Sequence, residues 1–576
     1  MIRLNERTGR VLLACLLSSI MPLSAADNAA QPASEIEQLK QMLADQQKQI
    51  NELRQALEQK KESVSALPAV SSAIPPVDPT PVTTFRNLGQ VASTTGMVPR
   101  TTALPIALAL PAIPAPQAAL ANATASAKNP CEANPDKAIP TFLRLGNVCI
   151  VPVGFMDLTP YWRDKNAGSS MGSNFGSVPY SNTANGNLNE FHFSSQNSRI
   201  GFRIDGDWKG THFIGYNEFD FNGTSGSTAL AASNGAIVPR LRLFWADARK
   251  GKIEFLAGQS WSMLTPNRNG ISALPGDLFY GQVIDINYIA GLTWTRQPGM
   301  RVLIHPNNKV TFGFSAEQPD QYIGGSAGGS GITLPTALST LAGSQLDNAQ
   351  NISAGGFLAQ PSVTPDFIAK IAFDPTSRFH FEVGGIESNF RTTSVATPFT
   401  THHTTQGAGL LVGFNVAVLK NFRLISTNFF SDGDGRYLFG QAPDIVVRAD
   451  GSLSAVRADG TIDGFEATIK NTLLYAYYGG IYIGRNTALD ANGTTKIGYG
   501  YAGSPNSQNR AINEFTFGFN QTIWKNSRYG AINVMGQYEY LSRNPWFVAA
   551  GNPKATHDNT IYFNIRYTLP GAMPNF

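Results

Sequence analysis

The chain contains seven histidines, at positions 192, 212, 305, 380, 402, 403 and 557, too scattered to form a metal-binding motif. Only His402 and His403 are adjacent, and no cysteine lies near them. No Ser-His-Asp spacing stands out as a hydrolase triad. The polar residues that do recur in a pattern are basic. Arg199, Arg203, Arg240, Arg242, Arg301, Lys370 and Arg566 each alternate with apolar neighbours, which in a strand puts them on the opposite face. A row of such cations does electrostatic work. It lowers the barrier for anions and raises it for cations. Glu254, Glu317, Glu382, Glu466 and Glu514 fall on the same face by parity and are candidates to neutralise them. The sequence therefore predicts no enzyme, no cofactor and no metal.

Period-two alternation is the signature of the elements that carry these residues. Val310, Phe312 and Phe314 interleave with Thr311, Gly313 and Ser315. The same holds for Phe379, Phe381 and Val383, for Phe515, Phe517 and Phe519, and for Ile561, Phe563, Ile565 and Tyr567. One face is greasy and the other polar or small. On the second strand Ile200, Phe202 and Ile204 are expected to meet lipid, with Arg199, Arg203 and Asp205 facing water. On the fourth, Leu241, Leu243 and Trp245 are expected outward and Arg240 and Arg242 inward. Tyr161, Trp162, Trp245, Tyr540 and Trp546 lie near predicted strand ends, suited to interfacial aromatic girdles.

Connection lengths separate a soluble sandwich from a membrane barrel. Tight turns near 209–210, 250–251, 307–308, 375–377, 420–421, 471–472 and 526–527 alternate with long Gly/Ser/Asn-rich segments. The long ones are 164–188, 222–238, 261–286, 317–364, 390–405, 432–460, 485–510 and 542–557. Seven turns and eight loops make fifteen connections, hence sixteen strands. Segregating loop length by end is the habit of outer-membrane barrels. The fold class predicted is an all-β transmembrane barrel of about sixteen antiparallel strands over residues 149–576. Its physical basis is that hydrocarbon tolerates only helices and closed barrels, and no run of eighteen apolar residues supplies a helix. Charged residues make up 15% of the chain, against roughly 25% in soluble proteins, and the net charge of +4 gives no nucleic-acid footprint.

The regions before the barrel read differently. Residues 1–26 have the form of a signal peptide, with Arg3, Arg7 and Arg10 ahead of a short apolar core and Ser24-Ala25-Ala26 at its end. Residues 34–67 carry heptads with Ile36, Leu43, Ile50, Leu57 and Val64 at a, and Leu39, Gln46, Leu53, Lys60 and Leu67 at d. They predict a coiled coil preceding the barrel, without deciding two strands against three. Residues 68–148 form a Pro/Ala-rich linker. Cys131 and Cys149 are expected to close a small disulfide loop in an oxidising compartment.

Certain stretches bear a family likeness: Gly154-Phe155-Met156-Asp157, then Asn197-Ser198-Arg199-Ile200-Gly201-Phe202, then Pro239 to Ala246 followed by Leu256 to Ser262, and Ala316-Glu317-Gln318-Pro319. With the stalk, the chain resembles trimeric Gram-negative outer-membrane porins, in particular the DcaP-like family with an N-terminal periplasmic coiled coil. The resemblance implies passive diffusion of small hydrophilic solutes across the cell outer membrane, a homotrimer, and a preference for small anions such as dicarboxylates. It also implies an inward-folded loop after Gln259-Ser260-Trp261-Ser262, hence a constriction within 263–286. Asp277 and Asp285 fall in that loop, either to set a field across the pore or to hold the loop in place. A stalk of this kind has periplasmic or peptidoglycan partners, and the barrel has outer-membrane lipid. Two alternatives stay open. Phe279, Tyr280 and Trp261 near the constriction suit sugar rings, and a barrel with long external loops could tether or adhere without an open pore. Phe576 ends the chain as in many outer-membrane proteins, but the alternation stops at Leu569.

Overall fold

In the computed structural model of the chain, the described residues are Lys48, 143–146, 148–223, 238–326, 328–349, 361–395, 399–526 and 529–570. The signal segment, all of the coiled coil except Lys48, most of the linker, Cys131 and Phe576 lie outside them.

Sixteen antiparallel strands form the barrel wall. The first five are β1 (Val148–Arg163), β2 (Arg199–Trp208), β3 (Thr211–Gly223), β4 (Val238–Lys250) and β5 (Ile253–Trp261). Then come β6 (Arg296–Asn307), β7 (Val310–Glu317), β8 (Asp366–Thr376), β9 (Phe379–Thr393), β10 (His402–Leu419) and β11 (Phe422–Asp432). The last five are β12 (Arg457–Ile469), β13 (Thr472–Ile483), β14 (Asn509–Asn526), β15 (Gly530–Pro545) and β16 (Thr556–Thr568). The continuous sheet has 18 members, of which Glu190–Ser194 is a separate upper piece of the second wall strand and Leu143–Leu145 a short flap on β1, leaving sixteen wall positions. Closure is made by β1, which pairs with β2 through Val148↔Gly206 to Phe155↔Arg199 and with β16 through Phe155↔Thr568 to Arg163↔Thr560. No strand edge in the wall is left for lipid to solvate.

Among the described residues, the tight turns are where the sequence puts them, and two use non-glycine residues at positive φ, Lys209 (48°) and Lys470 (55°). Large apolar side chains cover the outer surface, with Ile200 at 46% and Phe202 at 43% exposure, as expected of a lipid-facing belt. The packed core lies inside the cylinder, where Trp261, Leu278, Tyr280, Tyr288, Leu292 and Trp294 meet Ile425, Ile462, Tyr475 and Tyr477 of the wall.

Two expectations about the wall need correction. Leu243 and Trp245 do not face lipid, being 0% and 5% exposed in the interior. The register of β3 against β4 slips between Glu218 and Phe219, so a bulge reverses parity after Arg242. Arg240 and Arg242 still meet the carboxylates of β3, but Trp245 stacks on Tyr216 inside the barrel (5.4 Å, 16°) rather than joining a girdle. Tyr161 likewise points inward and is buried. The loops at the long end carry structure that alternation did not reveal: hairpins Ile445–Val447/Leu453–Ala455 and Asn486–Leu489/Lys496–Tyr499.

Candidate functional site: the inward-folded loop and the charges around it

The chain between β5 and β6, residues 262–295, turns back into the barrel. Its base is closed by Ser262 N–H donating to the Thr295 carbonyl (3.0 Å). The loop is nine residues longer at its C-terminal end than the 286 boundary read from sequence, and the extra residues include Tyr288 and Trp294. Pro275 starts a short 3₁₀ turn, and Tyr280 and Tyr288 take positive φ of 62° and 69°. Gly291 (φ 89°) lies so close to the wall that a Cβ would stand 2.5 Å from the Thr461 carbonyl oxygen and 2.6 Å from that of Gly480.

Wall carboxylates hold this loop. Met263 N–H donates to Glu317 (2.8 Å), Asn267 N–H to Glu382 (3.3 Å), Gly270 N–H to Asp374 (3.0 Å) and Ala290 N–H to Glu514 (2.8 Å). Ile284 N–H donates to the Gln537 side chain at 2.6 Å. Arg268 forms a two-pronged pair with Glu466 at 2.8 and 3.0 Å, and Tyr477 donates to the same carboxylate at 2.8 Å. A buried backbone donor without a partner is costly, so inward-facing glutamates at these registers suit a loop lying against them. Parity placed these glutamates inside, and four of them, Glu317, Glu382, Glu466 and Glu514, bond the loop.

Asp277 bonds within the loop, and Asp285 bonds both within it and to Ser173 and Tyr562 outside it. Asp285 accepts from Asn287 N–H (2.6 Å), Ser173 N–H (2.8 Å) and the Tyr562 hydroxyl (3.1 Å). Asp277 accepts from the Ser272 hydroxyl at 2.8 Å. Burial raises both carboxyls above their ordinary range, against the hydrogen bonds that favour the charged form.

The basic residues divide into three groups. Arg301 and Lys370 are buried beneath the loop rather than on an open wall. Arg301 donates to Ser260 and to the Trp261 carbonyl (both 2.6 Å), and Lys370 pairs with Glu382 (2.7 Å) and donates to the Thr265 carbonyl (2.9 Å). Arg203 and Arg240 are each tied to one aspartate, Asp205 and Asp220, both at 2.7 Å. Arg242, Arg199 and Arg566 flank the loop. Arg242 is held by Glu218 and Asp220 (both 2.7 Å) and donates to the Tyr288 hydroxyl (3.1 Å), and Arg199 reaches the same hydroxyl at 3.5 Å. Arg566 pairs with Asp157 at 3.0 Å and lies 3.9 Å over the Phe155 ring.

Two cavities lie against this loop. The larger, about 380 Å³, is lined by Arg242, Arg296, Arg436, Trp294 and Phe439, with Asp320 and Asp347 opposite. The smaller, about 50 Å³, is lined by Arg199, Arg566, Trp261, Tyr288 and Asp285. Among the lining residues, arginines outnumber carboxylates three to two in the first and two to one in the second. The carboxylates that pair with Arg242 and Arg566 stand behind the guanidiniums and do not line either space. Arg296 has no carboxylate within ion-pair distance among the described residues, and its Nη1 is buried without a partner. Its guanidinium lies 5.5 Å from the Trp261 ring and 5.4 Å from Trp294. Trp294 in turn stacks on Phe439 (4.9 Å, 17°). Burial pushes Asp320 up to about 7, against the pull of Arg436 and with the push of Asp347. Asp434, deeper in the same loop cluster, is also pushed up to about 7 by burial.

Sequence reasoning missed Tyr288, Arg296, Arg436 and Asp320. The first two fall beyond the expected loop end, and the others sit in long loops where no periodicity assigns a face. The segments 168–172 and 324–328 have Gly-x-Ser-x-Gly spacing, but their described residues lie outside any strand-to-helix turn of the kind that exposes a nucleophile. Cys149 is buried and disulfide-bonded.

No family model and no curated protein sequence matches the chain. Among solved structures, it is similar to the outer membrane channel DcaP of Acinetobacter baumannii, with a TM-score of 0.52 and 18% identity over 75% of this chain and 100% of that one. Salmonella typhi OmpF, solved with daunomycin, gives a TM-score of 0.42 and 10% identity over 74% of this chain and 100% of that one. Pseudomonas putida OprB gives 0.37 and 11% over 73% and 94%. The first likeness establishes the fold, a sixteen-strand barrel of the outer-membrane channel type.

Proposed function

We propose that the chain is an outer-membrane porin, a passive diffusion channel for small hydrophilic solutes with a preference for small anions such as dicarboxylates. The observation that carries this reading is the pair of cavities against the inward-folded loop, each lined by more arginines than carboxylates. A solute crossing from one to the other passes the Arg242–Tyr288–Trp261 partition and exchanges the guanidiniums of Arg296 and Arg436 for those of Arg199 and Arg566. Wall glutamates bond the loop and do not line either cavity, and among the lining arginines Arg296 has no carboxylate partner among the described residues. The sugar-preferring alternative loses one support, because Tyr280 is fully buried against Tyr477 and cannot stack on a solute. We further propose a homotrimer, a periplasmic coiled-coil stalk over 34–67, and a Cys131–Cys149 disulfide that fixes the entry to β1. Single-channel recordings in a KCl gradient test the selectivity. A reversal potential of the anionic sign is expected, and one of the cationic sign overturns the anion preference.

A further inference from the structure

Every tight turn of the wall carries a cation. Lys209 stands between β2 and β3, Lys250 and Lys252 flank Gly251 between β4 and β5, and Lys309 lies between β6 and β7. Arg378, Lys420 and Lys470 occupy the next three turns, and Lys525 leads into the last. All eight are exposed. The ion pairs among the described residues are made by other cations, such as Arg163, Arg242, Lys370 and Arg436. Asp207 and Glu254, the carboxylates within two residues of any of the eight, are engaged by His212 (3.0 Å) and His305 (2.9 Å). The turn end of the barrel is therefore ringed by positive charge that the described residues do not neutralise.

The greasy belt runs up to this ring. Trp208, Leu419 and Ile469, the residues just before Lys209, Lys420 and Lys470, are 63%, 59% and 55% exposed, and Ile253 follows Lys252 at 60%. Lys209 Nζ lies 4.8 Å over the Trp208 ring. A lysine stem can lie along such apolar surface while its ammonium stays in water. The cations thus stand one residue beyond the hydrocarbon, at the depth of the lipid head groups. Short turns of an outer-membrane barrel face the periplasm. We propose that the ring binds anionic phospholipids of the periplasmic leaflet, with one lipid phosphate to each turn. Basic segments at a membrane surface attract anionic lipid in this way. Consecutive turns are two strands apart, roughly 10 Å before tilt, about one Debye length at physiological ionic strength. Each turn therefore acts on its own lipid, and selection is by net charge rather than by head-group shape. An acidic polymer in the periplasm meets the same cations but gains nothing from the apolar side chains beside them. The inference rests on the outer-membrane barrel and not on the solute it passes.

The test presents the full chain in detergent with equimolar phosphatidylglycerol and phosphatidylcholine, and native mass spectrometry counts the lipids retained. The unmodified chain is expected to keep severalfold more phosphatidylglycerol, and added salt to narrow the ratio. Parity between the two lipids in the unmodified chain overturns the proposal, whatever the variants do. A turn variant combines Lys309→Gln, Arg378→Gln, Lys420→Gln and Lys470→Gln. A matched control removes four exposed cations of the long-loop end, with Arg391→Gln, Arg448→Gln, Lys496→Gln and Lys554→Gln. Compact mobility on semi-native gels reports that each is folded. The turn variant is expected to fall close to parity and the control to keep the preference. An equal loss in both overturns the assignment to the turns. Purified peptidoglycan is the competing partner. Co-sedimentation with it that the turn variant loses, without a phosphatidylglycerol preference in the unmodified chain, gives the ring to a polymer and overturns the lipid assignment.

Discussion

Tyr288 lines the smaller cavity, its hydroxyl accepts from Arg199 and from Arg242, which lines the larger, and its ring meets Trp261 edge-on at 5.8 Å. Truncating it removes a side chain that joins the linings of the two spaces through Arg242. Tyr288→Ala is expected to raise single-channel conductance severalfold, and an unchanged conductance would place the narrowest point elsewhere. Arg296 makes the selectivity prediction sharper, because no carboxylate accompanies it. Arg296→Gln is expected to move the reversal potential toward cations more than Arg203→Gln, whose charge Asp205 already balances. The pH dependence follows from Asp320 and Asp434, both held near 7. A carboxyl with a raised pKa is neutral below that value and negative above it. The larger cavity and the loops around it therefore gain negative charge between pH 6 and pH 8, and anion preference is expected to weaken over that interval. Reversal potentials at the two pH values check it, and Asp320→Asn should flatten the response. At this scale the sequence was legible where a strand was regular. Parity put Arg199 and Arg242 inside, but one bulge at Glu218/Phe219 sent Leu243 and Trp245 the opposite way. Nothing in a single sequence marks a bulge that carries no glycine.

Among the elements, the inward-folded loop has the most to lose. It spans the lumen without regular secondary structure beyond one short turn, so the groups that bond its backbone come from the wall. Arg268 and Glu466 are both nearly buried, and breaking such a pair leaves an uncompensated charge at a cost of about 3–5 kcal/mol. Arg268→Ala is expected to lower the temperature at which the barrel loses its compact mobility on semi-native gels, and to make single-channel currents noisier. Quiet currents and unchanged thermal resistance would show that Glu466 does not anchor the loop. The sixteen wall strands could be read from alternation because each has one face in lipid and one in the interior. The hairpin Ile445–Val447/Leu453–Ala455 could not, since Ile445, Val446 and Val447 are all buried and show no alternation. The same reason hid the true end of the constriction loop. Residues 288–294 are aromatic and apolar because they pack against the wall, and they read as the start of a strand.

At the scale of the molecule, one constraint governs the fold: peptide groups inside a bilayer must bond one another, and a closed antiparallel sheet does this with apolar side chains outward. An arginine placed in that belt should be opposed by lipid. Phe202→Arg is expected to destabilise the inserted barrel by about 2–4 kcal/mol, measured by urea unfolding from liposomes, whereas a change within error would mean that Phe202 does not meet hydrocarbon. All of the stalk except Lys48 and most of the linker lie outside the described residues, so the heptads of 34–67 stand as an expectation from sequence. The claim on which the rest depends is that the cylinder passes small ions around its inward-folded loop. Purified protein reconstituted into a planar bilayer tests this most directly. The account expects discrete single-channel steps whose reversal potential in a KCl gradient has the anionic sign near pH 6. A bilayer that stays silent with correctly folded protein would contradict it.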